Sequence, residues 1–165
     1  MGANANSLWH ANWAMRQAFP DFALIDVTVQ LPLSMTNIIQ QGLVEVGGCV
    51  LQKELLAKAH TPRGYFPDAT GYECFVNHLH LDDHACHDLV RIGASFLHAI
   101  CDQLGERFPE KQFRAIMGGG GENWDVRFHT LRLGEVWLLE DLDSYDECLC
   151  VVEVNTRDFG NSGTA

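Results

Sequence analysis

The chain has 165 residues, 47% of them hydrophobic and 20% charged, which is enough to bury a real core within one domain. Its 22 acidic side chains outnumber 11 basic ones, and the net charge of −11 excludes the basic footprint that general nucleic-acid binding requires. No apolar run approaches the roughly 20 residues that a membrane-spanning helix needs. The acidity suits a partner with a basic surface, although it also serves simply to keep a protein in solution.

Six cysteines fall mostly within apolar stretches, where a free thiol behaves as a small hydrophobic side chain. The N-terminus lacks a basic region followed by an apolar core and a small-residue cleavage site, the pattern of a secretory signal. These observations favour a reduced, cytoplasmic protein without disulfide bonds.

The first half of the chain predicts two helices and one strand. Residues 8–19 predict a short helix, and alternation of apolar and polar residues over 25–31 predicts a strand with one buried face. A longer helix is predicted from residue 34 or 36 to about residue 58, with Gly47-Gly48 as its weak point. Two prolines and a glycine predict a loop over 60–70.

The second half predicts four strands and one long helix. A strand covers 73–81, and the helix begins at Asp82 or Asp83 and ends near Arg107, just before a proline. Two strands, 112–117 and 124–133, flank four consecutive glycines that predict a flexible hairpin loop. These glycines do not form a phosphate-binding loop, because no Lys-Ser/Thr pair and no helix follows them. The last strand covers 148–154.

The predicted order is β-α-β-α-β-β-β, preceded by the short helix. Both main helices are expected on one face of a largely antiparallel sheet of about five strands, which is a two-layer α+β sandwich. Residues 1–165 show no repeat and no linker and are expected to form a single domain. The termini, 1–7 and 156–165, are small or polar and are expected to be flexible.

The stretch 77–87 concentrates four of the eight histidines together with two aspartates and a cysteine. Such crowding of ligand side chains is typical of zinc and iron sites. On a helix that begins at Asp83, however, Cys86 lies on the core face while His84 and His87 lie on the solvent face. Cys86 therefore shares no ligand set with the two histidines. His84 and His87, at i,i+3 spacing, are expected to belong to a polar helix face, and the alternative is that they hold a surface metal ion.

His78 and His80 are two residues apart on a predicted strand, so they point to the same side. With His129 on the strand 124–133, they predict a zinc site whose fourth position is left for water, and Glu153 is the candidate general base. The corresponding functional hypothesis is a metal-dependent hydrolase. The alternative is an ordinary solvated sheet face with cross-strand ion pairs.

The same side of the sheet, opposite the helices and called the open face below, would also collect Arg114 and Arg127. Two guanidinium groups can clamp a carboxylate or phosphate bidentately, which makes a binder of a small anionic ligand the next hypothesis. Cys74 shares the side of His78 and is a weaker candidate for a nucleophile, because its thiolate would need a lowered pKa.

Residues 135–147, called the acidic segment below, combine six acids with Trp137 and Tyr145. Acids interleaved with aromatic side chains are typical of a docking surface for a basic protein. The alternative is a solvated loop that Trp137, Leu138 and Leu142 anchor to the core. The predicted partner-binding residues are Glu135, Trp137, Glu140, Asp141, Asp143, Tyr145 and Asp146.

The favoured hypothesis is a small acidic binding protein rather than an enzyme, because no complete catalytic constellation can be assembled from the chain. It resembles the bacterial immunity proteins that neutralise toxic nucleases, but in size and charge only and without a shared motif. A basic protein is the expected partner, and nucleic acid and membranes are not expected. No cofactor is expected apart from the zinc of the hydrolase hypothesis.

Overall fold

A computed structural model describes residues 9–156. The termini predicted to be flexible, 1–7 and 156–165, lie outside this range except for Thr156. The helices are α1 (Trp13–Ala18), α2 (Leu33–Gln41), α3 (Lys53–Lys58), α4 (Ala69–Val76) and α5 (Leu89–Arg107). The strands are β1 (His10–Ala11), β2 (Leu43–Val46), β3 (Cys49–Gln52), β4 (Leu79–His80), β5 (Phe113–Gly120), β6 (Asn123–Thr130) and β7 (Cys148–Val154). Short 3-10 turns cover Phe22–Leu24, Arg63–Tyr65, Leu81–Asp83 and Leu142–Ser144.

The strands form two antiparallel sheets. The larger has five strands in the order β1-β7-β5-β6-β4, and the smaller is the hairpin β2-β3. Every pairing in the larger sheet is antiparallel. Together with the helices, this confirms the predicted α+β class with a five-stranded antiparallel sheet.

The main core lies between α5 and the larger sheet. Apolar positions recur every three or four residues along α5, so Phe96, Ile100 and Leu104 form one buried stripe. A Cβ at Gly93 would lie 2.6 Å from Sδ of Met117, so glycine allows the helix to approach the sheet closely here. The buried side chains that the sheet contributes to this core are Leu79, Phe113, Ala115, Met117, Trp124, Val126, Phe128, Cys150 and Val152.

The β5-β6 hairpin confirms two predicted strands but shortens the loop between them. Gly118, Gly119 and Gly120 pair within the ladder, which leaves only Gly121 and Glu122 as the turn. A Cβ at Gly119 would lie 2.1 Å from the carbonyl oxygen of Asn123, so this strand position requires glycine. The last strand, β7, has the predicted bounds.

The strand predicted over 25–31 is wrong. Its residues do alternate between half-buried and exposed, and Ile25, Val27 and Leu31 pack against the core. Within residues 9–156, however, no strand pairs with them. Alternating burial requires an extended backbone beside an apolar surface, and it does not require a hydrogen-bonded neighbour.

Two predicted helices are shorter than expected. α1 begins only at Trp13, because Asn12 caps it by accepting a hydrogen bond from the Met15 amide. The helix predicted over 34–58 is α2 and α3 with the hairpin β2-β3 between them. Gly47 and Gly48 have φ angles of 56° and 79°, as the two-residue turn of a hairpin needs, so the weak point of the predicted helix is a turn.

The strand predicted over 73–81 is wrong over most of its length, because its first part belongs to α4. Asp68 caps this helix by accepting a hydrogen bond from the Gly71 amide. Only β4 at the end of the stretch pairs as a strand, and its neighbour is β6. The predicted element order is therefore wrong even though the fold class is right.

The long helix predicted from Asp82 or Asp83 begins at Leu89 instead and ends at Arg107 as expected. Residues 84–88 are irregular, so they have no helix face. None of the helices within residues 9–156 combines the length and the apolar character that crossing a membrane would take.

The acidic segment covers part of the open face. Three of its side chains pack against a small apolar cluster contributed by β5 and β7. This packing fixes the segment beside the polar side chains of β6. The cluster consists of Ile116, Leu149 and Val151, and the side chains packed against it are Leu138, Leu142 and Tyr145.

Candidate functional site on the open face

Two histidines and an aspartate come together on the open face, where β4 pairs with β6. His80 lies opposite Asp125 in the register, and His78 immediately precedes β4. The two imidazole rings are 4.4 Å apart between centroids. One ligand atom from each side chain lies within 4.8 Å of the others, and we call these three residues the His-Asp group.

Arg127 closes one side of the His-Asp group. Its Nη2 lies 3.0 Å from Nε2 of His78 and 3.5 Å from Oδ1 of Asp125. Its guanidinium carbon lies 5.2 Å from the ring centroid of Trp137, which is a cation–π contact. A cavity of about 180 Å³ adjoins these side chains, and Glu147 lies at its wall. The acidic segment therefore borders the His-Asp group.

Solvent reaches the His-Asp group. The side chains of His78 and Asp125 are 23% and 31% exposed, and His80 is exposed as well. Burial raises the pKa of Asp125, but the hydrogen bond from His78 and the charge of Arg127 outweigh burial and hold this pKa below its ordinary value. An ionised carboxylate beside two accessible imidazoles is a donor set that suits a first-row divalent cation.

Asp125 is the member of this group that sequence analysis missed. Its alternation with Arg127 and His129 along one strand is visible in the sequence, so its face was predictable. Its proximity to the two histidines depends on the register between β4 and β6, which no pattern in the sequence indicates.

His129, the third histidine of the predicted zinc site, does not join the group. The register would place residue 76 opposite it, but that residue belongs to α4. His129 is buried, its Nδ1 lies 2.9 Å from the carbonyl oxygen of Thr130, and its Nε2 has no hydrogen-bond partner within residues 9–156. Burial lowers its pKa, and the charges of Arg114 and Arg132 act in the same direction.

The two arginines of the predicted anion clamp are each held by a carboxylate. Nη2 of Arg114 lies 2.6 Å from Oε1 of Glu153, directly across the β5-β7 ladder. Arg127 lies beside Asp125 on β6, the strand next to β5. Glu153, the predicted general base, lies on β7, two strands away from β6, where it pairs with Arg114, and the structure does not bring it to the His-Asp group.

A buried polar network lies along the outer edge of β6, next to the His-Asp group. Glu73 is fully buried and accepts hydrogen bonds from the Val50 amide and from the hydroxyl of Thr130, at 3.2 and 2.9 Å. One turn later on α4, Asn77 donates to the carbonyl oxygens of Val50 and Phe128, at 2.9 and 3.3 Å. These side chains join β3 to β6 where β4 no longer pairs. We call them, with Arg132, the edge network.

Arg132 completes the edge network. Its guanidinium donates to the carboxylate of Glu73, to the carbonyl oxygen of Gly48 at 3.0 Å and to the hydroxyl of Thr70 at 3.2 Å. Burial raises the pKa of Glu73, against the opposing charge of Arg132. Glu135, predicted to bind a partner, accepts from the Thr70 amide at 3.1 Å and lies 3.8 Å from Arg132. Its carboxylate is therefore engaged within the fold.

The rest of the stretch 77–87 forms no shared ligand set. Because α5 begins later than predicted, His84 and His87 do not lie on a helix face. Nδ1 of His84 lies 2.6 Å from the hydroxyl of Ser34. Cys86, predicted to lie on the core face, is exposed. The crowding of ligand residues in this stretch thus reduces to His78 and His80.

All six cysteines are free. Cys74 lies buried within α4, and burial raises the pKa of its thiol to about 12. A thiol with this pKa holds its proton at neutral pH, so Cys74 does not supply a nucleophilic thiolate.

The acidic segment is tied to the beginning of the described chain. The side-chain amide of Asn12 donates to the carbonyl oxygens of Tyr145 and Glu147, at 3.3 and 2.8 Å. Asp143 accepts a hydrogen bond from the Trp13 amide at 2.5 Å. Two of the predicted partner-binding residues, Asp143 and Tyr145, thus help to position the segment.

The outer surface of the acidic segment mixes apolar side chains with acids. Val136, Trp137 and Leu139 are 71%, 40% and 58% exposed. Four exposed carboxylates have no basic side chain within 4.0 Å in the described part of the chain. Trp137 and most of these acids are among the predicted partner-binding residues. The four acids are Glu140, Asp141, Asp146 and Glu147.

A larger cavity, of about 530 Å³, lies elsewhere, between α1, the start of α5 and the tip of the β5-β6 hairpin. Its charged side chains, such as Asp21, Asp88 and Glu122, are all exposed at its rim. Its apolar wall includes Phe22 and Trp124. Because binding sites orient their ligands with polar groups that converge on them, volume alone does not make this cavity the functional site.

The fold and the site define an α+β protein with an accessible histidine-carboxylate group on its sheet and an acidic loop beside it. The chain belongs to the Uncharacterized protein PM0498 family, whose profile matches residues 10–162. No curated protein and no solved structure matches the chain. The matched range contains both the His-Asp group and the acidic segment.

Proposed function

We propose that the protein binds a basic protein partner through the acidic segment and that it is a binding protein rather than an enzyme. The observation that supports this proposal is the outer surface of the segment, where the exposed side chains of Val136, Trp137 and Leu139 are followed by carboxylates that have no basic partner in the described part of the chain. Protein interfaces combine apolar anchors, often tryptophan, with a polar rim. Complementary charge speeds the encounter and selects the partner.

The anchoring of the segment supports the same proposal. Hydrogen bonds from Asn12 and the packing of Leu138, Leu142 and Tyr145 hold the segment against the sheet. A loop that is already ordered loses less conformational entropy on binding than a free one. The exposed side chains are thus presented from a fixed backbone.

A general need for negative charge explains less of this surface. It accounts for the net charge of −11, but it gives no reason for three exposed apolar side chains among the acids. A small anionic ligand is also less well supported, because carboxylates engage both Arg114 and Arg127. We further propose a cytoplasmic location, which six free cysteines support.

Affinity capture from the source cells, with matched variants as bait, tests the proposal. The first variant is Glu140→Gln/Asp146→Asn/Glu147→Gln. The control, Glu106→Gln/Glu110→Gln/Glu122→Gln, makes the same change in net charge at exposed positions elsewhere. The captured protein is then purified, and its Kd for each bait is measured at two salt concentrations.

We expect a basic protein that the control variant binds as the wild type does and that the acidic-segment variant binds about tenfold more weakly. Three exposed ion pairs at about 0.5 kcal/mol each amount to this factor. Trp137→Ala should weaken binding further, by about 2 kcal/mol, if the indole is an interface anchor. Equal binding by the wild type and the acidic-segment variant would contradict the proposal.

A further inference from the structure

We propose that the His-Asp group, His78, His80 and Asp125, is a binding site for a first-row divalent cation, with zinc as the ion its donors suit first. Two imidazole nitrogens and a carboxylate oxygen are ligands that zinc commonly takes. The site lies on the sheet rather than on the acidic segment, and the inference does not depend on the proposed docking function.

The ligand atoms of the group lie farther apart than in an occupied metal site, by a gap that one side-chain rotation can close. Metal–ligand distances of about 2.0–2.1 Å place the ligand atoms of a tetrahedral zinc site about 3.3 Å apart. The ligand atoms of the His-Asp group already lie within 4.8 Å of one another. Rotation of the exposed His80 side chain, without movement of the backbone, is the kind of change that closes such a gap.

The β4-β6 ladder places the three side chains on one face before any ion arrives. His80 and Asp125 are opposite each other in the register, and Leu79, between the two histidines, is buried on the other face. His80 therefore cannot move to the other face without breaking its pairing with β6. Ligands held by rigid elements bind an ion more precisely than ligands on loops.

The surroundings leave room for a further ligand of the ion. Three protein ligands leave at least one coordination position open, which is the arrangement of metal sites that bind water or a small molecule. The cavity of about 180 Å³ adjoins Asp125 and is lined also by Trp137 and Glu147. A small donor ligand would therefore reach the ion from this side.

Arg127 competes with the ion. Its Nη2 lies 3.0 Å from Nε2 of His78, so the guanidinium must move away when a cation enters. Removing this positive charge should therefore strengthen metal binding, whereas removing a ligand should weaken it. The two substitutions act in opposite directions, which a general loss of folding does not reproduce.

Zinc titration of the untagged protein against a competing chromophoric chelator tests the inference. We expect one zinc ion per chain, with affinity that falls at least about tenfold in His80→Ala and in Asp125→Asn, because even changes behind the ligands typically cost that much. Arg127→Gln should bind zinc more tightly than the wild type. The control is His87→Ala, which removes an exposed histidine of the same stretch and should leave the affinity unchanged.

Thermal unfolding of each variant without metal shows whether it is folded. Because His80 is exposed, we expect His80→Ala to disturb the fold least of the three substitutions at the site. Zinc binding of equal affinity in His80→Ala, Asp125→Asn and the wild type would overturn the inference. A loss of zinc binding in His87→Ala as large as the loss in His80→Ala would also overturn the inference, because zinc would then bind scattered surface histidines. Absence of one-to-one zinc binding in the wild type would do so directly.

Discussion

Two carboxylate–arginine pairs lie on or beside β6 and differ in their surroundings. The two arginine side chains are equally exposed, at 18%, but the carboxylates differ. Glu73, in the edge network, is fully buried, and its oxygens accept hydrogen bonds from backbone and side-chain groups. Asp125 is 31% exposed and lies beside two accessible histidines and a cavity. A buried carboxylate with saturated hydrogen bonds holds strands together, whereas an accessible group with spare ligand atoms is available to bind. The clustering of charged residues alone therefore does not distinguish a structural ion pair from a binding site.

The largest expected effect comes from removing the carboxylate of the buried pair. Glu73→Ala should lower the free energy of unfolding by about 3–5 kcal/mol, because it leaves a partly buried guanidinium and backbone amides without their acceptor. Asp125→Ala, at the exposed pair, should cost at most about 1 kcal/mol. Urea unfolding of both variants without metal measures the difference.

The same two variants can also contradict the expected difference between the two sites. Equal losses at the two sites would mean that burial does not distinguish them. If Glu73→Ala does not fold, Glu73→Gln keeps the size of the side chain and removes only its charge, and it should still cost more than Asp125→Ala.

A smaller effect is expected in the pH dependence of stability, through His129. Burial lowers the pKa of this histidine in the folded state, so the unfolded chain binds its proton more tightly. The stability that neutral His129 contributes is therefore fully present above its unfolded pKa of about 6.5 and is lost as the pH falls below it. A single group can change the free energy of unfolding by at most about 1.4 kcal/mol per pH unit.

His129→Asn tests this effect, because asparagine does not titrate and its amide can donate to the carbonyl oxygen of Thr130 in place of Nδ1. The fall in unfolding free energy from about pH 7 to about pH 5 should be smaller in this variant than in the wild type. His87→Asn, at an exposed position, should keep the wild-type slope. An unchanged slope in His129→Asn would mean that the buried imidazole does not resist protonation.

The elements predicted best are those whose apolar pattern is visible within the element itself. α5 shows a stripe of helical period, β6 alternates over most of its length, and β7 is a short, nearly continuous apolar run. Residues 25–31 and 73–81 show why the others failed. Residues 25–31 alternate because one side of this extended segment packs against the core, although no strand pairs with it in the described part of the chain. The first part of 73–81 belongs instead to α4, which Asp68 caps.

The candidate sites were predictable only in part. The sequence places His78 and His80 on one side of a strand and marks the acidic segment by its composition. The register between β4 and β6 decides that Asp125, rather than His129, completes the group. The edge network depends on contacts between residues up to 84 positions apart in the sequence, such as Gly48 and Arg132, which local patterns do not encode.

Hydrogen–deuterium exchange shows directly whether the acidic segment binds the basic partner. Exchange is measured by mass spectrometry for the chain alone and for its complex with the purified captured protein. We predict slower exchange on binding within residues 135–147 and no change at the large cavity, around residues 86–91 and 121–122. Protection at the cavity, with unchanged exchange in the acidic segment, would contradict the claim.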